Sequence, residues 1–167
     1  GRLYVDFVKK IIGYLTAKGK RVMMWADIIL QHPAYLGELP EDVIFLNWEY
    51  GEDPDERAFA KIRDCGRAQI VCPGTRSWCA LNEEVRVEEI NILKMAALGY
   101  QYGAIGMLTT NWGDYGNIAS LSMAYYGLAL GAAVSWNGAT KADSAFRSAA
   151  SMVLYGNGEM VDLAAKM

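Results

Sequence analysis

The sequence is poor in residues that bind metals or form disulfides. Among 167 residues it has three cysteines, Cys65, Cys72 and Cys79, and a single histidine, His32. The cysteines form no C-x-x-C pair and are odd in number, which predicts reduced thiols beside the core. A zinc site would need more ligands, and His32 precedes Pro33 in a predicted loop. We therefore expect no metal and no cofactor.

The sequence also lacks an excess of positive charge and a long uninterrupted apolar run. Sixteen Lys and Arg residues face nineteen Asp and Glu residues, for a net charge of −3, which argues against a nucleic-acid partner. The longest apolar stretch, about residues 118–136, is predicted to be a buried helix and not a membrane span. Five small or polar residues interrupt it: Ser120, Ser122, Gly127, Gly131 and Ser135.

The composition is that of a globular protein, with 53% hydrophobic and 21% charged residues. No linker or low-complexity segment divides the chain. Gly1 and Arg2 already lie close to a helical pattern, with no initiator Met and no signal peptide. We therefore expect residues 1–167 to be a single partial domain, cut from a longer protein. No targeting signal assigns a cellular compartment.

Hydrophobic periodicity predicts alternating helices and strands. Strands are predicted over residues 21–25, 43–48, 68–74 and 103–112. Helices are predicted over about residues 4–15, 53–66, 82–100, 118–134 and 141–155. This alternation is typical of βαβ crossovers and predicts an α/β fold with a parallel sheet. A small open sheet and four consecutive units of a TIM (β/α)8 barrel both fit, and since a full barrel needs about 250 residues, the chain would be about half of one.

The predicted strand ends carry aromatic and polar side chains, including four of the five tryptophans. In parallel α/β folds, ligands bind at the carboxyl ends of the strands. The candidate binding residues at these ends are Trp25 and Asp27, Trp48 and Glu49, Arg76 and Trp78, and Asn111, Trp112 and Asp114.

Indoles beside carboxylates favour a sugar ligand, although indoles could also simply fill the end of a barrel. The axial C–H groups of a pyranose form an apolar face that lies flat on an aromatic ring. Its hydroxyls present paired donors that a carboxylate can accept. A purely apolar ligand would not need Asp27 and Asp114.

Three motifs, on the first, second and fourth predicted strands, extend this interpretation. "VMMWAD", "FLNWEYG" and "GMLTTNWGDYG" resemble, in this order, the second half of the catalytic barrel of glycoside hydrolase family 20, the β-N-acetylhexosaminidases. The likeness covers about residue 4 to Trp136 and looks closest to a divergent bacterial branch. It implies that the strands correspond to strands 5–8 of the barrel.

The resemblance implies substrate-assisted retaining hydrolysis of a terminal N-acetylhexosamine, an exception to the usual scheme of two carboxylates. The family's catalytic Asp-Glu pair lies on the fourth strand, so this chain would begin after it. The one Asp-Glu dipeptide, Asp55-Glu56, stands at a predicted helix start and is given no catalytic role. No catalytic residue is expected in this chain, and the missing half of the barrel is an expected partner.

The resemblance also implies binding roles for individual residues. Trp25, followed by Asp27, matches the tryptophan of the fifth strand, and Trp48 matches the one that walls the sugar on the sixth. Trp112 would close the pocket around the acetamido group or ring face. Asp114 would hold the distal hydroxyls O4 and O6.

The sequence departs from the family pattern at three places. Ala26 stands where an acid is common, and Asp114 is one methylene shorter than the usual Glu. The seventh strand usually supplies a Tyr for the acetamido carbonyl, but residues 75–78 read "TRSW" here.

Two other hypotheses remain open. The chain could be a non-catalytic α/β module that binds a sugar or another small ligand. It could also belong to another family of barrel glycosidases, with a carboxylate pair drawn from Asp27, Glu49 and Asp114. Under the half-barrel hypothesis, the open edges near Met23 and Met107 predict that the fragment self-associates.

Overall fold

A computed structural model describes residues 1–78, 80–116 and 118–166 of the chain. The strands are β1 (Met23–Trp25), β2 (Ile44–Trp48), β3 (Gln69–Cys72) and β4 (Gly106–Met107). The α-helices are α1 (Arg2–Thr16), α2 (Asp27–Leu30), α3 (Glu56–Asp64), α4 (Val85–Gln101), α5 (Tyr125–Trp136), α6 (Ser144–Tyr155) and α7 (Met160–Ala164).

The four strands form one parallel sheet in the order β1-β2-β3-β4, which confirms the predicted α/β class. In the first ladder, Met23 pairs with Ile44 and Trp25 pairs with Leu46. β1 and β4 are the outer strands of this order. Each strand is shorter than predicted, and β4 most of all, because its ladder continues only as an isolated bridge between Gly74 and Thr110.

The chain divides into two compact units, each made of three segments. The first unit consists of Gly1–Trp48, Asp55–Val71 and Leu98–Gly106. The second consists of Glu49–Pro54, Cys72–Ala97 and Met107–Met167.

The first unit is built on one apolar core. Ten buried residues form it: Val5, Ile12, Val22, Ala26, Ile29, Leu36, Leu39, Val43, Phe45 and Ile62. α1 contributes Val5 and Ile12, and it ends before Gly19, whose φ of 70° suits a residue without a side chain. Asp55 caps the N-terminus of α3, because its carboxylate accepts a hydrogen bond from the Arg57 N–H.

The opposite side of α1 carries a row of exposed apolar side chains. This row, the α1 stripe, consists of Leu3, Phe7, Ile11 and Tyr14, which are 87%, 63%, 43% and 64% exposed. Their spacing places them along one face of the helix. An exposed apolar row of this kind is typical of a helix that packs against another surface.

Among its described residues, the second unit has two apolar clusters around α4 and α5. Val85, Tyr126 and Val161 form one cluster, and Ile92, Leu130 and Val134 form the other. Phe146 of α6 packs against both. These contacts place α4, α5 and α6 together in one body.

Several sequence-based boundaries differ from the structure. The helix predicted from residue 118 begins as a 3₁₀ turn, Leu121–Ala124, and becomes α-helical at Tyr125. The predicted loop that contains His32 includes a 3₁₀ helix, Pro33–Glu38, and α2 comes directly before this loop.

The cysteines fit the prediction only in part. Cys72 is a buried thiol, and burial raises its pKa to about 12. Cys65 is free but exposed at the end of α3, so it does not lie beside the core as predicted. Cys79 falls outside the described residues. No helix within those residues is long and apolar enough to cross a bilayer.

Candidate carbohydrate-binding site

The turn that follows β4 is anchored to the segment that follows β3. The Thr75 N–H donates to the Thr110 carbonyl at 3.0 Å, and the Thr110 N–H donates to the Pro73 carbonyl at 2.8 Å. These two bonds carry parallel pairing beyond the ends of β3 and β4. They bring residues 73–78 beside residues 110–114, so two of the predicted strand ends form one surface within the second unit.

Asn111 holds the two segments together through its side chain. Its Oδ1 accepts a hydrogen bond from Thr75 Oγ1 at 2.8 Å and another from Ser77 Oγ at 3.0 Å. Thr75 and Ser77 are buried, whereas Asn111 is exposed overall. Asn111 therefore shapes the turn by its carbonyl oxygen, and the buried hydroxyls are satisfied as buried polar groups require.

Trp112 and Asp114 follow Asn111 on the same turn. Trp112 is half-buried, and its indole Nε1–H donates to the Tyr50 hydroxyl at 2.7 Å. Asp114 is exposed and begins a short 3₁₀ turn, Asp114–Gly116. Gly116 has a φ of 83°, which lets the backbone turn sharply there. The turn thus presents an oriented indole and a solvent-facing carboxylate two residues apart.

Trp78 packs against Tyr50, and little of its ring is available to a ligand. Its side chain is 6% exposed, and its ring meets that of Tyr50 edge-on, with centroids 5.0 Å apart and planes at 75°. Gly74 allows this approach, because a Cβ there would lie 2.5 Å from Trp78 Cη2 and 2.7 Å from Tyr50 Cδ1. Trp78, predicted to bind the sugar, is therefore mostly a packing residue in this structure.

Arg76 is held by protein groups. Its φ of 55° lies in the left-handed region, which is unusual for a residue other than glycine. Its Nη2 pairs with Glu84 Oε2 at 2.5 Å, and its guanidinium lies 5.9 Å from the centre of the Trp78 ring. These contacts fix the Arg76 side chain over Trp78.

Glu49 is half-buried, and the backbone around it is clamped by one buried amide. Asn91 of α4 donates from Nδ2 to the Glu49 carbonyl at 2.9 Å and to the Gly51 carbonyl at 2.8 Å. Asn91 Oδ1 also accepts from the Gly74 N–H at 3.0 Å. One side chain thereby fixes the segments that follow β2 and β3.

The other three predicted site residues belong to the first unit. Trp25 ends β1, Trp48 ends β2, and Asp27 is the first residue of α2; all three are half-buried. Trp25 pairs with Leu46, and Trp48 lies two residues further along β2. Because paired residues point to the same side and side chains alternate along a strand, Trp25 and Trp48 share one face of the sheet. That all the strand-end indoles converge on one rim stays a prediction.

A buried carboxyl cluster in the second unit was not predicted. Glu88 of α4 is fully buried, and neither of its carboxyl oxygens has a hydrogen-bond partner among the described residues. Burial, with the nearby Glu83 and Glu89, raises its pKa to about 10. Burial also raises the pKa of Glu83 to about 7. Glu89 differs because Arg147 and the Tyr126 hydroxyl bind its carboxylate, at 2.6 Å and 2.5 Å.

The sequence holds a signal for Glu88. It falls on the same face of α4 as the buried Val85, Ile92 and Met95, where an apolar residue is expected. No such signal marks Tyr50 or Asn91, whose contacts join segments distant in the sequence.

No family model matches this sequence, and no curated protein matches it. The described residues contain no group of three or more His, Cys, Asp or Glu side chains that could hold a metal ion.

Proposed function

We propose that this chain is the carbohydrate-binding half of an exo-β-N-acetylhexosaminidase of the glycoside hydrolase family 20 type, and that its βα units are half of a TIM barrel. The observation that carries the proposal is the turn after β4. There, a half-exposed Trp112, fixed by a 2.7 Å hydrogen bond, stands two residues before an exposed Asp114.

The two side chains suit the two kinds of surface on a pyranose. The electron-rich face of an indole attracts the C–H groups on one side of the ring. A carboxylate accepts hydrogen bonds from two neighbouring hydroxyls, and such charge-assisted bonds are stronger than neutral ones. Trp112 would therefore bind the ring face, and Asp114 would select the hydroxyls O4 and O6.

In the full-length protein, the 2-acetamido oxygen of the substrate would attack C1. An Asp-Glu pair from the preceding part of the barrel would orient the acetamido group and transfer the proton. The residues of this chain would hold the terminal N-acetylhexosamine in place for that reaction, a contribution made by orientation and not by proton transfer. The 167-residue chain alone is expected to be inactive.

Binding of N-acetylglucosamine tests the proposal directly. In an NMR titration, Trp112→Ala and Asp114→Asn should each weaken binding about ten-fold or more. Trp112→Ala removes the contact with the sugar ring, and Asp114→Asn removes a charge-assisted hydrogen bond. Trp136→Ala is the matched control, since Trp136 is 93% exposed at the end of α5 and should leave binding unchanged.

Two binding results would contradict the proposal. One is a wild-type chain that does not bind the sugar at millimolar concentration. The other is a Trp136→Ala variant that weakens binding as much as Trp112→Ala does.

Hydrolysis of a nitrophenyl N-acetylglucosaminide provides a second test. The purified chain should release no nitrophenol above the rate in buffer, because the expected acid–base pair is not in its sequence. Turnover at a rate that Trp112→Ala and Asp114→Asn both leave unchanged would refute the assignment.

A further inference from the structure

Tyr50 makes the one hydrogen bond described for the indole of Trp112. An indole has a single polar donor, Nε1–H. In this structure it points at the Tyr50 hydroxyl at 2.7 Å, across 62 residues of sequence. Turning the Trp112 ring over would move that donor away, so the bond fixes the orientation of the indole.

Tyr50 is itself held both through its backbone and through its ring. Asn91 binds the carbonyls of Glu49 and Gly51, on either side of it in the chain. The Trp78 ring packs edge-on against its ring, and Gly74 leaves the space for that contact. Its phenol therefore cannot shift without disturbing the segments after both β2 and β3.

The Tyr50 phenol keeps its proton over the working pH range. Burial raises its pKa above the ordinary value near 10, and this effect exceeds the opposing hydrogen bonds from Thr110 and Trp112. A neutral hydroxyl accepts the indole N–H and still carries a proton of its own. The contact with Trp112 thus does not depend on pH near neutrality.

We infer that Tyr50 is a positioning residue of the sugar site, which orients the indole of Trp112 so that its exposed face can receive the pyranose. This inference rests on the proposed function. Tyr50 binds no sugar atom in this role and acts through Trp112 alone.

The Tyr50→Phe variant removes one oxygen and keeps the ring that packs on Trp78. We expect it to weaken N-acetylglucosamine binding about five- to ten-fold, as loss of one internal hydrogen bond does. The NMR signal of the Trp112 indole N–H, identified by its absence in Trp112→Phe, should shift upfield. Tyr102→Phe is the control, because that phenol bonds Glu56 at 2.5 Å in the first unit; it should change neither readout.

A double-mutant cycle separates positioning from general support of the fold. In a Trp112→Phe background, Tyr50→Phe should cause no further loss of binding, because its effect passes through the indole N–H. An additive loss would overturn the inference.

The proposed function can be judged separately. If wild type binds the sugar, Trp112→Ala weakens binding and Tyr50→Phe does not, the positioning role is refuted and the proposed function stands. If wild type binds no sugar, both are refuted.

Discussion

Glu88 is a buried acid, and its effect on the free energy of unfolding depends on pH. Its carboxyl group faces Glu83, Glu89, Tyr126 and Tyr155, and no described cation pairs with it. Removing a charge from water without a partner is costly, so Glu88 is neutral in the folded protein. Folding therefore favours its protonated form.

The sign of the pH effect follows from the raised pKa. Glu88 has an ordinary pKa of 4.5, and its pKa in the folded chain is about 10. Its stabilising contribution is complete below about pH 4.5 and is lost as the pH rises toward 10. Glu83 acts in the same direction between 4.5 and about 7. We expect wild type to be less stable to urea at pH 8 than at pH 5.

Glu88→Gln tests this directly, because an amide cannot ionise. We expect the variant to be more stable than wild type at pH 8, by about 1–3 kcal/mol, and to show a smaller difference between pH 5 and pH 8. Urea unfolding at both pH values measures this. Glu41→Gln, at an exposed loop residue, should behave like wild type. Equal destabilisation by Glu88→Gln at both pH values would contradict the argument.

Single residues differ in how far the sequence predicts them. Trp112 and Asp114 were predicted as candidates because they end a predicted strand, and the structure places them on one turn. Trp78 was predicted by the same rule, but its ring is largely buried, because Gly74 leaves room for it to pack against Tyr50. Tyr50 could not be selected, because its role comes from a contact across 62 residues.

The helices of this chain tolerate glycine for different reasons. Gly13 in α1 is exposed, and a Cβ there would meet nothing within 4 Å. Gly127 in α5 is buried, and a Cβ there would lie 2.6 Å from Glu88 Oε2 and 3.2 Å from Thr75 Cα. Gly127 thus makes room for the carboxyl group of Glu88 and for the segment that follows β3.

The same substitution at these two positions should have opposite effects. Gly13→Ala should stabilise the chain by about 0.5–1 kcal/mol, because alanine restricts the unfolded chain and favours helix. Gly127→Ala should destabilise it by about 1–3 kcal/mol, because the packed neighbours must move. Thermal unfolding of both variants at pH 5 checks this, and a stabilising Gly127→Ala would show that the space beside Glu88 is not limiting.

Secondary structure was predicted best where the periodicity was long. α1, α3 and α4 each lie within a few residues of their predicted bounds, because apolar side chains recur along them at helical spacing. β4 was predicted over 103–112 but is assigned only at Gly106–Met107. Gly103 and Ala104 belong to the end of α4. Gly103 has a φ of 65°, and the Ala104 N–H donates to the Gly99 carbonyl. Apolar composition alone could not separate this helix end from a strand.

The sheet order and the α1 stripe bear on association of the whole chain. β1 and β4 are the outer strands, so each has one edge that no other described strand pairs. The α1 stripe adds an exposed apolar surface. Open strand edges and apolar faces favour pairing with another chain. Self-association stays a prediction, and the α1 stripe is the surface at which it can be tested.

Light scattering at increasing concentration tests it. Wild type should form dimers or larger species, and Phe7→Glu, at the centre of the α1 stripe, should shift the population toward monomer because it places a charge on that surface. Tyr100→Glu replaces another aromatic residue, 94% exposed and outside the stripe, and should have no such effect. A wild-type chain that is monomeric at high concentration would refute the prediction.

The segments of the two units alternate along the chain, and this order affects how the protein folds during synthesis. The first unit contains Leu98–Gly106, so a ribosome must pass residue 106 before that unit has all its segments. By then the second unit already has two of its three segments, and it waits for Met107–Met167. Domains usually fold one after another as they leave the ribosome. Here, any nascent chain that stops between residues 49 and 106 exposes parts of both bodies and completes neither, so early termination should yield products for proteolysis instead of a smaller stable protein.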